Sequence, residues 1–361
     1  MAFPIYAYSL FITVVFLFMA LIDSRALLTK REEPIKSSSR FRPRTLIIVP
    51  CKGKDLGIEQ NLKSLMNQDY KNYKVIAVVD SKKDPAIPYI KRSKINLLIS
   101  DFKSERASGK VRAILTALKL NKGFDVYVIA DSDVNAKRYW LRNLVEPLSD
   151  RSVGISTSYP KFIPVGGFWS KVKSVWGFVG EGMMESKLTR FGWGGSLAFR
   201  SDLLDNYAMK IMSDSKYSVS DDISLTKIAK LRKLKIAYVK SAQPAVYCDD
   251  NFDSFVEWSN RQTALSILGY STNLYFGLAF YCAEALLLVS GVALTYLLSP
   301  IFMILLLHFV RSESNTYRRA DTNDAAVGII VAIMPFIYLA NLISASFMRS
   351  ITWRGTEYRI K

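Results

Sequence analysis

The sequence predicts an α/β fold: a mostly parallel sheet flanked by helices, tied to a membrane at both ends. Three observations carry that expectation. Short apolar runs alternate with segments of helical periodicity from residue 44 onward, the chain is strongly apolar near both extremities, and residues 40 to about 265 have ordinary soluble composition.

The first strand is expected in "RTLIIVPCKGKD" (44–55), followed by a loop containing Pro50 and Gly53. "IEQNLKSLMNQ" (58–68) places apolar residues at helical spacing. "NYKVIAVVDSKKDPAIP" (72–88) reads as a second strand ending at Asp80, with a turn at Asp84-Pro85. "INLLISD" (95–101) is a third strand and "GKVRAILTALKL" (109–120) a helix. Within "FDVYVIADSDVNAKRYW" (124–140) a buried strand then stops at Asp131. Right-handed crossovers between such units give a parallel sheet, and ligands bind beyond the carboxyl ends of its strands. Three of those ends bring polar groups to one edge: Pro50 to Lys54, including Lys52; Asp80 to Asp84; and Asp131 to Asp133. Neither GxGxxG nor GxxxxGK[ST] occurs, so dinucleotide and P-loop readings have little support.

"FPIYAYSLFITVVFLFMALI" (3–22) has the ~20 residues that a helix needs to cross a bilayer. No basic residue precedes it and no small-residue cleavage site follows, which favours an uncleaved anchor over a signal peptide. Apolar sequence returns at 274–310 and 326–347. The former is too long for one simple span. It reads either as two short helices turning near Ser299-Pro300 or as an interfacial helix ending near Glu284 followed by one span. The expected organisation is an N-terminal anchor (1–24), a basic linker (25–43) containing "KSSSR", a soluble domain (44–265), and a membrane region of two to three helices with a basic tail (266–361).

The formal charge is +18, and its placement is informative. Residues 1–24 hold no Lys or Arg, whereas Arg25, Lys30, Arg31, Lys36, Arg40, Arg42 and Arg44 follow. The positive-inside tendency then sets the soluble domain in the cytoplasm, on a multi-pass protein of the cell membrane. An anionic bilayer surface accounts for the charge, and no nucleic-acid motif accompanies it. Cys51, Cys248 and Cys282 lack paired spacing. The single histidine, His308, lies in an apolar run, so a general base in the soluble domain must be a carboxylate.

Asp131 and Asp133 repel each other unless a cation joins them. Mg²⁺ or Mn²⁺ is held by one or two carboxylates and completed by water and substrate phosphates, and it can neutralise a departing diphosphate. The alternative is that "DSD" merely punctuates a turn, with Asp133 starting a helix. Lys110, at a helix start, is either a phosphate ligand or a solvated lysine. Gly194 and Gly195, beside Trp193, either admit a ligand close to the backbone or form a tight turn. Asp221 and Asp222 open a helix; capping explains one, leaving the other free as a base. Arg261 offers a cation for a leaving diphosphate, or is a membrane-surface residue. "GGFWSKVKSVWGFVGEGMMESK" (166–187) interleaves aromatic and basic residues, as interfacial segments do, although core packing explains the aromatics equally well.

Taken in order, "VPCKGKD" (49–55), "DPAI" (84–87), "GK" (109–110), "DSD" (131–133), "GWGGSLAFR" (192–200), "SDD" (220–222) and "ITWRGTEYRI" (351–360) resemble the membrane-bound family-2 type glycosyltransferases. The ceramide glucosyltransferase-like branch is the most similar. The resemblance implies a GT-A type fold and inverting transfer from a nucleotide-diphosphate-sugar, a UDP-hexose first among them, to a membrane lipid hydroxyl. Pro50, Lys52, Asp80, Asp84, Lys110, Asp131 and Asp133 would then face the donor, Asp84 contacting the nucleotide. Asp131 and Asp133 would hold Mg²⁺ or Mn²⁺, and Asp222 would deprotonate the acceptor beside Asp221. Gly194, Gly195, Trp193, Trp258 and Gln262 fall on the acceptor side. The arginine motif before the membrane helices departs from the family: Trp258 replaces its first polar residue and Gln262 its tryptophan, so ceramide does not carry over as acceptor. A polyprenyl-phosphate transferase, a polysaccharide synthase and a non-catalytic scaffold are the competing readings. An even number of C-terminal spans would return Arg354 and Arg359 to the side of the soluble domain.

Overall fold

The computed structural model describes residues 2–28, 38 and 40–360. Most of the basic linker expected at 25–43, with Lys30, Arg31 and Lys36, lies outside the described residues. The chain forms two compact units. One holds the first helix and Val256–Phe347; the other holds the sheet up to Phe255 and the tail from Met348. This division assigns residues 256–265 to the helices and the tail to the sheet, unlike the division read along the sequence.

The sheet unit begins with β1 (Thr45–Cys51), β2 (Tyr73–Val79), β3 (Asn96–Ile99) and β4 (Val126–Ala130). It continues with β5 (Val134–Asn135), β6 (Val153–Thr157), β7 (Lys161–Pro164), β8 (Ser196–Arg200), β9 (Lys235–Tyr238) and β10 (Ala245–Cys248). Seven of these form the main sheet in the order β3-β2-β1-β4-β8-β6-β9, while β5, β10 and β7 form a small second sheet. Every main-sheet pairing is parallel except the two made by β8. All residues of β1 and β4 are buried, as strands covered on both faces must be. Leu46, Ile48 and Ile129 pack with Val111, Ile114, Leu115, Leu225 and Ile228 from helices Gly109–Leu120 and Asp221–Leu231. Burying each such aliphatic side chain contributes about 1.5–3 kcal/mol.

One expected boundary shifts. Pro50 is not in a loop: β1 runs through it to Cys51, with Pro50 opposite Val78. The β1–β4 ladder ends at Ile48–Ile129, so the missing N–H of Pro50 falls where β1 is paired on one side only.

β11 (Ser350–Trp353) and β12 (Thr356–Arg359) form a hairpin in the sheet unit. Its two-residue turn, Arg354-Gly355, has left-handed φ angles of 49° and 73°, as type I′ turns require.

In the helical unit, Thr272–Leu297 and Ala326–Phe347 are long and apolar enough to cross a membrane; Ala7–Ile22, within the helix Ala2–Leu28, is a shorter apolar stretch. Thr272–Leu297 is one continuous helix, and the turn after it falls at Ser299-Pro300, where Ser299 caps the short helix Pro300–Leu306. The turn near Ser299-Pro300 expected in one reading of 274–310 is present, but the helix before it is long, not short. Ile12 and Met19 of the first helix pack against Leu287 and Leu305.

Candidate active site

The site is assembled at the carboxyl ends of β1, β2 and β4. Beyond β4, the Asp131 N–H donates to the Gly195 carbonyl (3.3 Å), and Val134 N–H closes the turn on the Asp131 carbonyl (3.2 Å). Because β8 runs against β4, with Ala130 opposite Ser196, the glycines that precede β8 arrive beside the acids that follow β4. The Ser132 hydroxyl donates to Asp55 (2.5 Å), and its carbonyl accepts from the Asn61 amide (3.2 Å). Asp133 does not start a helix; β5 comes next and the following helix begins at Trp140. Asp133 therefore lies in a turn but caps no helix.

Lys110 occupies the centre. Its ammonium lies 2.7 Å from Asp131 and 3.2 Å from Asp221, on a side chain only 12 % exposed. Burial opposes its charge, but Asp131, Asp221 and Asp222 outweigh that and hold it above the usual lysine range. It is a buried counter-ion, not a solvated first-turn lysine. Ser108 caps its helix by accepting from Val111 N–H (3.3 Å). Burial pushes Asp221 up to about 6 against the pull of Lys110, with the negative charges of Asp222 and Asp131 adding to the rise.

Asp133 is different. Its Oδ1 is sealed from solvent and has no hydrogen-bond partner. Burial, then the charges of Asp131 and Asp55, push this carboxyl up to about 7. An acid so placed is costly unless a cation joins it. Among the described residues no group of three or more His, Cys, Asp or Glu side chains converges as a ready-made metal cage. Two carboxylates with one unpartnered oxygen suit an ion that draws its other ligands from phosphate and water. The pair Asp131 and Asp133 fits Mg²⁺ or Mn²⁺.

The other residues expected on the donor side lie in the loops around this cluster. Asp84 accepts from Gly53 N–H (3.0 Å) and Ala86 N–H (2.8 Å), tying the β1 and β2 loops together. Asp80 Oδ2 stands 2.8 Å from where a Cβ on Gly109 would lie. Lys52 donates to Thr356 Oγ1 (2.9 Å), and Arg354 of the hairpin turn donates to the Lys52 carbonyl and to Asp55.

On the other side, Asp222 is half-buried; its Oδ1 accepts from Ser220 Oγ and from Ile223 N–H (2.7 Å). Gly194 covers the Asp221–Lys110 pair so closely that a Cβ would stand 2.3 Å from Asp221 Oδ2 and 2.9 Å from Lys110 Nζ. Gly194→Ala is therefore expected to destabilise the protein by about 1–3 kcal/mol through overpacking, read as a lowered thermal midpoint; an unchanged midpoint would show that the pair has room to move. The Trp193 indole fills the place where a Cβ on Gly195 would stand, and its N–H backbone group donates to Thr157 Oγ1 (2.9 Å).

Arg261, Trp258 and Gln262 lie on the helix Phe252–Gly269, in the part belonging to the helical unit, where Arg261 pairs with Glu257 (3.5 Å). In the segment 166–187, Phe168–Trp176 and Phe178–Glu185 are helices. Lys173 forms a buried pair with Asp250 (3.0 Å), Trp176 is buried and Trp169 stacks on Phe255, whereas Phe168 is exposed. Sequence reasoning gave no individual role to Asp55, Thr356 or Tyr358; all three lay inside quoted motifs, and Thr356 and Tyr358 are far along the chain from what they touch.

The sequence model of glycosyl transferase family 21 matches residues 8–361. The chain belongs to this family. Among solved structures, this family-21 chain is similar to a mannosyltransferase of Pyrobaculum calidifontis in complex with GDP-mannose and Mn²⁺, at 18 % identity and a TM-score of 0.56, over 94 % of this chain and 97 % of that one. That likeness establishes the GT-A type fold. The glucosyl-3-phosphoglycerate synthase of Mycobacterium tuberculosis also matches. Its complex with Mn²⁺ and UDP-glucose is 15 % identical over 66 % of this chain and 84 % of that one, with a TM-score of 0.43. Its complex with Mg²⁺ and UDP is 16 % identical over 68 % and 84 %, with a TM-score of 0.40. Mn²⁺, one of the two metals expected from the sequence, is bound in the mannosyltransferase complex. No curated protein sequence matches the family-21 chain.

Proposed function

We propose that this glycosyltransferase moves a hexose, with inversion, from a nucleoside-diphosphate sugar, UDP-hexose first among the candidates, to the hydroxyl of a membrane lipid. The observation that carries the reading is the cluster of Asp131, Asp133, Lys110, Asp221 and Asp222 at one edge of a GT-A type sheet in a family-21 chain.

Asp131 and Asp133 would hold Mg²⁺ or Mn²⁺, which supplies positive charge against the departing diphosphate. Lys110 pairs with Asp131 and Asp221 and fixes both side chains, so that neither drifts when the donor enters. Asp84 sets the nucleotide-side loop through Gly53. Asp222, with one oxygen engaged by Ser220 and Ile223, has the other to take the proton of the acceptor hydroxyl. As that O–H bond breaks, the oxygen attacks the anomeric carbon and the bond to the diphosphate breaks on the opposite face. The leaving diphosphate carries away the electron pair, and Arg261 is proposed as a further cation for it.

Two apolar helices, with the apolar first helix, support a lipid acceptor and a bilayer setting. The tail belongs to the sheet unit, which supports a reading in which the two C-terminal apolar helices cross the bilayer an even number of times between Phe255 and Met348. The basic residues after the first helix favour the cytoplasm for that unit.

The test is transfer of radiolabelled hexose from UDP and GDP donors to membrane lipid extract with Mn²⁺, with products read by mass spectrometry. Asp222→Asn is expected to cut turnover by ~10²–10⁴. Near-normal turnover in that variant would identify an acceptor that is already anionic, such as a polyprenyl phosphate, and overturn the hydroxyl assignment.

A further inference from the structure

The hairpin β11–β12 reaches back some three hundred residues to touch the donor edge at several points. Arg354 donates to the Lys52 carbonyl and to the Asp55 carboxylate. Thr356 Oγ1 accepts from the Lys52 ammonium (2.9 Å), and the Tyr358 hydroxyl accepts from Gly109 N–H (3.1 Å). Gly109 is the first residue of the helix that carries Lys110. One short hairpin therefore fixes both the loop after β1 and the helix start facing the acids.

Two further observations set Arg354 apart from a strut. It occupies a left-handed position, φ 49°, where Asn or Asp normally precedes the Gly of such a turn. An arginine is poorly suited to that backbone, and the benefit lies in where its guanidinium goes. The charges also divide in a telling way: Lys110 takes Asp131 and Asp221, while Arg354 takes Asp55, whose side chain is only 9 % exposed. Buried carboxylate oxygens without a hydrogen-bond partner remain on Asp133 and on Asp221, of which only Asp221 has a salt bridge to Lys110. Lys52, meanwhile, is held by a neutral hydroxyl, so its positive charge remains available to a phosphate.

We propose that the C-terminal hairpin is a wall of the donor site, and that Arg354 is the positioning residue that sets the loop of Lys52 and Asp55 to receive a nucleoside diphosphate. This rests on the donor assignment above and deepens it: residues 350–359 become part of the nucleotide site.

The experiment is calorimetric titration of UDP and of GDP, each with Mn²⁺, into the full chain in lipid nanodiscs. Wild type, Arg354→Ala, Arg354→Lys and Asp133→Ala are compared. Arg354→Ala is expected to weaken nucleotide binding roughly ten-fold or more, the effect of losing charged hydrogen bonds. Lysine should restore only part, because an ammonium does not span two acceptors as a planar fork does. Added guanidinium ion should recover binding in Arg354→Ala, which a folding defect would not allow. Unchanged or tighter binding by Arg354→Ala, with wild type binding normally, overturns the inference alone. Failure of wild type to bind either nucleotide, indistinguishable from Asp133→Ala, overturns the donor assignment and the inference with it.

Discussion

Asp133→Ala is expected to reduce sugar transfer by roughly 10³-fold or more, since several kcal/mol of charge stabilisation at the leaving diphosphate would go with the metal ligand. Release of nucleoside diphosphate in the presence of saturating Mn²⁺ measures it. The Asp133→Asn variant adds a second, opposite reading. It removes the negative charge of a carboxylate whose sealed oxygen has no partner, so the metal-free protein should become more stable as it becomes inactive. The sign follows from the raised pKa. A carboxyl pushed up to about 7 in the folded chain, from an ordinary value near 3.8, binds its proton more tightly when folded. Its favourable contribution is complete below about pH 4 and is lost as pH rises through about 7. Metal-free wild type should lose stability across that window, and Asp133→Asn should lose less. Equal pH profiles for the two would place Asp133 in a solvated setting, contrary to the geometry described.

Lys110→Met should produce the largest loss of stability. The ammonium is shared by Asp131 and Asp221, and its removal leaves two acids close together, one almost wholly buried. Breaking such a pair from one side costs about 3–5 kcal/mol. Asp221 already sits up at about 6 through burial, even with Lys110 opposing the shift. Without the lysine it should rise further, so its contribution persists in acid and disappears as pH climbs through the new value. Chemical denaturation of the variant should therefore show a midpoint that falls with pH more steeply than in wild type. A parallel pair of curves would mean that Lys110 does not neutralise Asp221.

Much of the sheet was legible because it obeys local rules. The runs "TLIIVPC" and "VYVIA" are continuous apolar segments bounded by polar turns, and both are central strands with every residue buried. The DSD acids, Lys110 and the tandem Asp221-Asp222 also stood out, since carboxylates at strand and helix ends are conspicuous. What periodicity could not supply was the division of labour. Asp221 and Asp222 are adjacent in sequence, yet one is buried against Lys110 and the other half-exposed against Ser220. Backbone direction in the first turn of a helix decides that, and composition does not record it. Pro50 misled for a related reason: proline signals a loop unless the neighbouring ladder has already ended. The contact of Arg354 with Asp55 was still less visible, because it joins segments separated by most of the chain.

The reversed direction of β8 has a further consequence. The chain leaves the sheet after Thr157 and re-enters at Ser196, and Thr157 is paired directly with Leu197. The excursion between them, residues 158–195, thus starts and finishes on adjoining rungs of one ladder. Lengthening or shortening it between β7, which must stay paired with β10, and the glycines before β8 leaves every rung of the main sheet in register, as it would for a loop grafted between two fixed posts. On the proposal that Trp193, Gly194 and Gly195 face the acceptor, chimeras that swap this cassette between family members should keep the same nucleotide preference while changing the partner for the sugar.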